Sequence, residues 1–239
     1  MSYAKKLVSV LKILIKEILD LIYKRKCINC ACQINDGILC KTCSKLVQNL
    51  PPFAQGVVNN YPIFSAFYYE GVIKKLIQSL KFKHNKAVSY YLARFLADYI
   101  NKIKNNKTNE LNLEGAIIIP VLTHPVNYNK RGYDNVLLIA KNLAEITGYS
   151  LNSTALRKTK YTKPMYKLTR KERLHNIENS FELNVDFNIN NPVILLDDIT
   201  TTGSTLEYLT SLFRKKGVYN LICLTVSKTK KFWKVLNRF

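Results

Sequence analysis

The segment from Val193 to Thr205 constrains the fold more than any other part of the chain. It begins with four apolar residues, Val193-Ile-Leu-Leu196, which are typical of a strand buried on both faces of a parallel sheet. Two adjacent carboxylates, Asp197 and Asp198, come next, and Thr200-Thr-Thr-Gly-Ser-Thr205 then leads into residues with helical spacing. This order predicts a strand-to-helix junction at the carboxyl edge of an α/β sheet.

The residue types at this junction indicate a ligand with two different ends. Free N–H groups at a helix N-terminus bind phosphate, and Gly203 permits a close backbone approach or a positive φ. Asp197 and Asp198 would repel a phosphate, but they suit the vicinal hydroxyls of a sugar or a Mg²⁺ shell. A phosphate and a nearby diol describe a ribose 5-phosphate. The Gly-Lys pair of a Walker A loop is missing, which argues against an ATPase.

The rest of the second half alternates between strand and helix patterns. Apolar runs predict strands at 116–119, 193–196 and 218–226, and helical spacing is seen at 136–146 and 206–216. Nearer the N-terminus, 63–69 has β character, 72–80 and 86–103 have helical patterns, and 101–114 is a polar loop. We therefore expect an α/β fold with a parallel sheet flanked by helices.

Five of the six cysteines lie between positions 27 and 43. Cys27, Cys30, Cys40 and Cys43 form two Cys-x-x-Cys pairs, a spacing that closes a tetrahedral structural Zn²⁺ site. Disulfides would require an oxidising compartment, and a redox pair would not need both motifs. Cys32 is an alternative to Cys30 as a ligand, although the Cys-x-x-Cys spacing favours Cys30.

The charge balance is strongly basic, with 37 Lys and Arg residues against 16 Asp and Glu residues and a net charge of +21. Such a surface attracts polyanions, unless it is only a solvated surface of biased composition. Candidate nucleic-acid contacts are the basic stretch 155–175, with Arg170, Lys171 and Arg173, and the aromatic and basic tail around Trp233. The first of these also fits a solvated loop, and the second also fits a packed final helix.

The N-terminal segment 1–24 has an amphipathic helical pattern, and charged residues interrupt its apolar run. It packs on the body of the protein or lies on a membrane face, and packing is the commoner case for such a helix. No small-residue cleavage site follows, so we expect a cytoplasmic protein. The Pro51-Pro52 break predicts three regions: the helix at 1–24, a zinc-ribbon module at 25–52 and the α/β domain at 53–239.

The motifs along the chain resemble those of a known family. Val193–Thr205 is similar to the binding signature of the type I phosphoribosyltransferases. Together with other segments it resembles the ComF family of competence-associated proteins. Besides the paired cysteines, these segments are Tyr69-Glu-Gly-Val-Ile-Lys-Lys-Leu-Ile77, Leu80-Lys-Phe82, Ile119-Pro-Val121, Lys130-Arg-Gly-Tyr-Asp-Asn135 and Leu168-Thr-Arg-Lys-Glu-Arg-Leu-His-Asn176.

The resemblance implies a phosphoribosyltransferase fold with an N-terminal zinc module. It implies a role in natural transformation, in which the protein handles single-stranded DNA beside a helicase partner. In related transferases, phosphoribosyl pyrophosphate (PRPP) binds with Mg²⁺. Here Asp197 and Asp198 would hold its ribose hydroxyls. Its 5-phosphate would lie on Thr201, Thr202, Gly203, Ser204 and Thr205, its pyrophosphate near Pro120, Val121 and Arg131, and the stretch 155–175 would act as a covering flap.

Two departures from the family pattern separate binding from catalysis. Pro120-Val-Leu122 stands where the family has Pro-Val-Pro, and Thr201 stands where purine-using relatives place an Asp base. The leading hypothesis is therefore an accessory factor in DNA uptake that binds PRPP or a related ribose phosphate, together with single-stranded DNA. The alternatives are an active phosphoribosyltransferase of nucleotide salvage, with Asp197 and Asp198 at its catalytic centre, and a ligand-sensing module without turnover.

Overall fold

The structure is a computed structural model. It describes residues 25–50, 54–105, 111–124, 126, 128, 131–160 and 177–230. The chain divides into two compact units, of which the first ends at Asn49 and the second begins at Leu50. The predicted helix at 1–24 lies outside the described residues. None of the helices in the described ranges has the length and apolar content that crossing a bilayer requires.

In the smaller unit, a turn and one helix carry the cysteines. Lys26 and Gln33 form an antiparallel bridge, and the turn between them includes Ala31 at a φ of 62°. Helix α1 (Lys41–Gln48) begins after Cys40, whose sulfur accepts a hydrogen bond from the Cys43 N–H. Among the described residues of this unit, Cys27, Ile38, Cys43 and Val47 are buried.

The larger unit is built on a six-stranded sheet, which confirms the predicted α/β class. Its strand order is β1-β2-β8-β7-β3-β4, and every neighbouring pair is parallel except β1 and β2. β5 and β6 form a separate antiparallel pair. The strands are β1 (Ala54–Val58), β2 (Tyr61–Tyr68), β3 (Ile117–Pro120), β4 (Ser150–Leu151), β5 (Leu156–Lys158), β6 (Phe181–Leu183), β7 (Val193–Thr200) and β8 (Leu221–Lys228).

Helices flank the sheet: α2 (Gly71–Phe82), α3 (Val88–Lys104), α4 (Asn135–Thr147) and α5 (Ser204–Lys215). Helix α4 packs on β3, β7 and α3. A core cluster joins Leu206, Leu209 and Phe213 of α5 to alternate residues of the central strands, including Val193 and Leu195 of β7. The intervening Ile194 and Leu196 are also buried, as expected for a strand covered on both faces.

The order of the strands creates a crevice between β3 and β7. From β3 the chain passes through α4 to β4 on one side, and from β7 it passes through α5 to β8 on the other. In open α/β sheets, ligands bind at the carboxyl ends of the strands where the winding direction reverses in this way. The topology therefore places the candidate site beyond the ends of β3 and β7.

Strand β7 is longer than its apolar run predicts. It continues through Thr200, so both carboxylates lie inside the strand rather than after it. The reason is tertiary: pairing with β8 extends as far as the partners Thr200 and Lys228. Residues with low strand propensity are thus held in an extended conformation by their neighbours.

Candidate functional site

A small pocket opens where β7 passes into α5. Within the described part of the chain, it is lined by Asp197 and residues 199–205, the hydroxyl-rich segment singled out by the sequence. Gly203 occupies the N-cap position of α5 with a φ of 78°, a conformation in which a side chain would be strained. The hydroxyls of Thr202 and Ser204 lie 3.1 Å apart. The first-turn N–H groups of α5 and these hydroxyls form a site suited to a phosphate.

The two carboxylates do not share this pocket equally. Side chains alternate along a strand, so Asp197 lies on the same face of the sheet as Val193 and Leu195, and Asp198 lies on the opposite face. Asp197 is half-buried and lines the pocket. Asp198 is buried, at 7% exposure, on the face covered by α4. The acid pair is therefore one pocket residue and one residue of the protein interior.

Asp198 is held by two side chains that lie far from it in the sequence. Its Oδ2 lies 2.8 Å from Lys81 Nζ of α2, and it accepts a hydrogen bond from the Asn135 side-chain amide at the start of α4. Asn135 Oδ1 in turn accepts a hydrogen bond from Arg131 Nη1 at 3.1 Å. These contacts compensate the cost of burying the carboxylate and connect α2 and α4 to the end of β7.

Asp197 has a different electrostatic environment. Burial and the neighbouring Asp198 carboxylate raise the pKa of Asp197 to about 7, although the Asp198 backbone N–H donates to its Oδ1 at 2.7 Å. Lys158 of β5 is also half-buried, and burial lowers its pKa while Asp197 acts in the opposite direction. The Asp197 carboxylate can therefore both accept hydrogen bonds and exchange a proton near neutral pH.

The residues predicted to approach pyrophosphate lie at the end of the neighbouring strand. Pro120 pairs with Leu196, and the Val121 N–H donates to the Leu196 carbonyl at 2.8 Å, which places this segment beside the acid pair. The Val121 side chain belongs to the hydrophobic core, so only its backbone is available to a ligand. Asp134 fixes the next residues, because its Oδ2 accepts hydrogen bonds from the N–H and the hydroxyl of Thr123 at 2.7 and 2.6 Å.

Three contributors to this site were not identified from the sequence. Lys81 contacts Asp198, Asn135 also contacts Asp198, and Lys158 influences Asp197. A signal was available for the first two, because both lie inside segments that carry the family resemblance. Lys158 had only the general signal of a basic stretch.

The cysteine ligands come together as the spacing predicts. The sulfurs of Cys27, Cys30, Cys40 and Cys43 all lie within 4.8 Å of one another, so this cluster could hold a metal ion such as zinc. The Cys30 and Cys40 sulfurs are 3.7 Å apart, close to the edge of about 3.8 Å expected for a tetrahedron with Zn–S bonds of about 2.3 Å. Cys32 is exposed and lies outside this group of four.

Hydrogen bonds to the ligand sulfurs support the same interpretation. The Asn29 side-chain amide donates to Cys43 Sγ at 3.2 Å, and the Cys43 N–H donates to Cys40 Sγ at 3.4 Å. Donors around thiolates stabilise their negative charge and orient them toward a metal. The donor set therefore fits a closed, structural site rather than one with an open coordination position.

The candidate nucleic-acid residues cannot be placed in the same way. Arg170, Lys171, Arg173 and Trp233 all lie outside the described residues, as does most of the predicted flap. The described part of the predicted flap contains strand β5 (Leu156–Lys158). These assignments stay predictions.

Comparison with curated proteins gives a consistent result. The chain is 29% identical over 198 residues to "Competence protein F" of Haemophilus influenzae, which covers 80% of this chain and 85% of that protein. It is 23% identical over 176 residues to "DNA utilization protein YhgH" of Salmonella typhimurium, covering 73% of this chain and 72% of that protein. These similarities over most of the chain support a ComF-like protein. No family model matches this sequence.

Solved structures similar to this chain are more distant in sequence. Adenine phosphoribosyl transferase from Trypanosoma brucei, solved with AMP, pyrophosphate and ribose-5-phosphate, matches with a TM-score of 0.43 and 13% identity over 79% of this chain and 81% of that one. Leishmania donovani UMP synthase matches with a TM-score of 0.31 and 12% identity over 82% of this chain and 37% of that one.

Proposed function

We propose that this protein binds PRPP or a related ribose 5-phosphate in the pocket between β7 and α5. The observation that supports this most directly is the pocket itself, in which one carboxylate, Asp197, faces a hydroxyl-rich helix N-terminus. Thr201, Thr202, Gly203, Ser204 and Thr205 would hold the 5-phosphate, and Asp197 would accept hydrogen bonds from the ribose hydroxyls. Asp198 would act indirectly, by holding Asn135 and Lys81 in place.

The remaining parts of the proposed ligand fit the neighbouring segments. The backbone after Pro120 and the Arg131 guanidinium would contact the pyrophosphate. Mg²⁺ prefers carboxylate and phosphate oxygens, and Asp197 offers the carboxylate oxygens of the pocket. When bound, the ion would neutralise part of the negative charge of the ligand, and Asp197 would orient it.

Isothermal titration with PRPP and Mg²⁺ tests this proposal. We expect saturable binding by the wild type and a loss of affinity of at least tenfold in Asp197→Asn, which keeps the size of the side chain but removes its charge. Asp98→Asn is the matched control, because Asp98 is an exposed carboxylate on α3. Absence of binding to the wild type, or an equal loss in Asp98→Asn, would contradict the proposed site.

The proposed biological role is to assist DNA uptake during natural transformation, with single-stranded DNA and a helicase as partners. The similarity to Competence protein F and to the DNA utilization proteins supports this role. In a naturally transformable host that carries this gene as its only copy, deletion should lower the yield of transformants. Equal transformation with and without the gene would argue against the role. Asp197→Asn in the same host tests whether the ligand pocket contributes.

A second candidate function, phosphoribosyl transfer, is supported by the pKa of about 7 of Asp197, which suits a group that exchanges protons at neutral pH. Incubation with PRPP, Mg²⁺ and a panel of nucleobases, with release of pyrophosphate as the readout, tests it. Release that depends on one acceptor and disappears in Asp197→Asn would support an enzyme. PRPP binding without release would support a binding protein.

For the smaller unit, we propose a structural zinc ion on Cys27, Cys30, Cys40 and Cys43, supported by the sulfur positions. Metal analysis of freshly purified protein should give one zinc per chain. Cys30→Ser should lower this content strongly, whereas Cys32→Ser, the matched control, should leave it unchanged. Equal losses in the two variants would show that the ligand set is different.

A further inference from the structure

Helix α2, the turn after it and the first part of α3 form a basic surface, which we call the α2–α3 surface and define as residues 71–97. This segment contains six Lys or Arg residues and no Asp or Glu. Its exposed cations are Lys74, Lys75, Lys83, Lys86 and Arg94. A stretch of one charge sign on two adjoining helices creates a local positive potential that attracts a polyanion.

Exposed aromatic side chains accompany these cations. Phe82, the last residue of α2, is 65% exposed, and Tyr90 on α3 is 47% exposed. The guanidinium carbon of Arg131 lies 5.4 Å from the centroid of the Phe82 ring. A Phe ring and a guanidinium group are both flat surfaces on which nucleobases stack. The exposure of Phe82 leaves room for such a base.

The turn that carries these groups is fixed by the rest of the fold. The Tyr133 hydroxyl donates to the Leu80 carbonyl, and Lys86 Nζ lies 5.1 Å from the centroid of the Tyr133 ring. Arg131 is held through Asn135 to Asp198. An aromatic platform that is already in position loses less conformational entropy when it binds a ligand.

We propose that the α2–α3 surface binds single-stranded DNA, with Phe82 and Arg131 as a stacking platform for one base and the surrounding lysines as phosphate contacts. The combination of exposed aromatic rings and a basic surface is the one that sequence-tolerant binding of single strands requires. The inference deepens the proposed role in DNA uptake and rests on it. It adds residues of α2 and α3 to the candidate DNA contacts that the sequence indicated in the stretch 155–175 and around Trp233.

Fluorescence anisotropy with a labelled oligothymidylate, measured over a range of salt concentrations, separates the contribution of base stacking from that of the phosphate contacts. Phe82→Ala should weaken binding about tenfold without changing the salt dependence, because stacking releases no counterions. Phe82→Leu should be as weak, and Phe82→Trp should bind as the wild type does. Tyr219→Ala is the matched control, since Tyr219 is 70% exposed and lies between α5 and β8.

The lysines should show the opposite behaviour. Lys83→Ala combined with Lys86→Ala should lower the slope of log affinity against log salt by about 1.4, from about 0.7 per phosphate contact on single strands. Lys215→Ala with Lys216→Ala, which removes two exposed lysines at the end of α5, should leave the slope unchanged. An equal effect of the two pairs would show only nonspecific attraction and would overturn the proposal.

Other outcomes are equally decisive. Wild-type binding by Phe82→Leu would exclude stacking, and a loss confined to anionic phosphatidylglycerol vesicles would assign the surface to a membrane. PRPP titration of Lys83→Ala combined with Lys86→Ala should give the wild-type affinity, because neither lysine lines the ribose-phosphate pocket. If DNA binding fails while PRPP binds, the surface assignment is wrong and the ribose-phosphate pocket stands. The reverse result would refute the pocket alone.

Discussion

The two faces of β7 at its carboxyl end differ although they carry the same chemical group. On one face, Asp197 is half-buried and lines an open pocket. On the other, Asp198 is buried and contacts Lys81 and Asn135. The difference arises because a strand sends neighbouring side chains to opposite faces. Identical neighbours in a motif can therefore have separate tasks, one in meeting the ligand and one in holding the surrounding elements.

The largest expected effect is at Asp198, on the face of β7 where the carboxylate is buried. Asp198→Ala should lower the free energy of unfolding by about 3 kcal/mol, because it leaves the largely buried Lys81 ammonium without its carboxylate. Urea unfolding followed by circular dichroism measures this change. Asp197→Ala is the comparison variant and should cost clearly less. Equal costs would show that the two faces do not differ in the way the structure indicates.

A somewhat smaller effect is expected at the N-terminus of α4. Asp134 accepts hydrogen bonds from the Leu137 N–H and from two groups of Thr123. Asp134→Ala should therefore cost about 2 kcal/mol of unfolding free energy and also weaken ribose-phosphate binding. Asp98→Ala, on the exposed surface of α3, should change neither quantity. A stable Asp134→Ala variant would show that the 121–124 segment does not depend on this cap.

The comparison is sharpened most by the pH dependence at Asp197. Its pKa is about 7 in the folded state, above the ordinary value of 3.8, so the folded state binds the proton more tightly. The wild type should therefore lose stability as the pH rises from about 4 to about 7, and change little from this cause above that.

Asp197→Asn should lack this loss. The two proteins should differ by less than about 0.5 kcal/mol at pH 4, and the variant should become the more stable as the pH rises. Urea unfolding of both proteins at pH 4 to 8 provides the measurement. Parallel stability curves would mean that burial does not raise the pKa of this carboxyl.

The order of the central strands β2, β3, β7 and β8 and of the flanking helices could be predicted because it depends on local signals, whereas β1, β4, β5 and β6 were not predicted. Apolar runs mark the strands, the Asp134 side chain caps α4, and Gly148 ends that helix with a φ of 74°. The cluster of four cysteines could also be predicted, since their spacing within a short segment limits how they can come together.

The different environments of Asp197 and Asp198 could not be predicted from the sequence. Lys81 and Asn135 lie far from Asp198 along the chain, so their contacts depend on how the helices pack on the sheet. The extent of β7 also depended on a distant partner, because its last residue pairs with Lys228. The local pattern thus indicated the segment that lines the pocket, and long-range packing determined which of the two carboxylates faces it.

The sheet also has a consequence for self-association. The end strand β4 consists of Ser150 and Leu151 alone, and it pairs with β3. A strand this short offers only a few free backbone groups to a second molecule, so it is a poor template for extending the sheet across a contact between copies. Such an edge therefore limits β-type aggregation between copies of the chain.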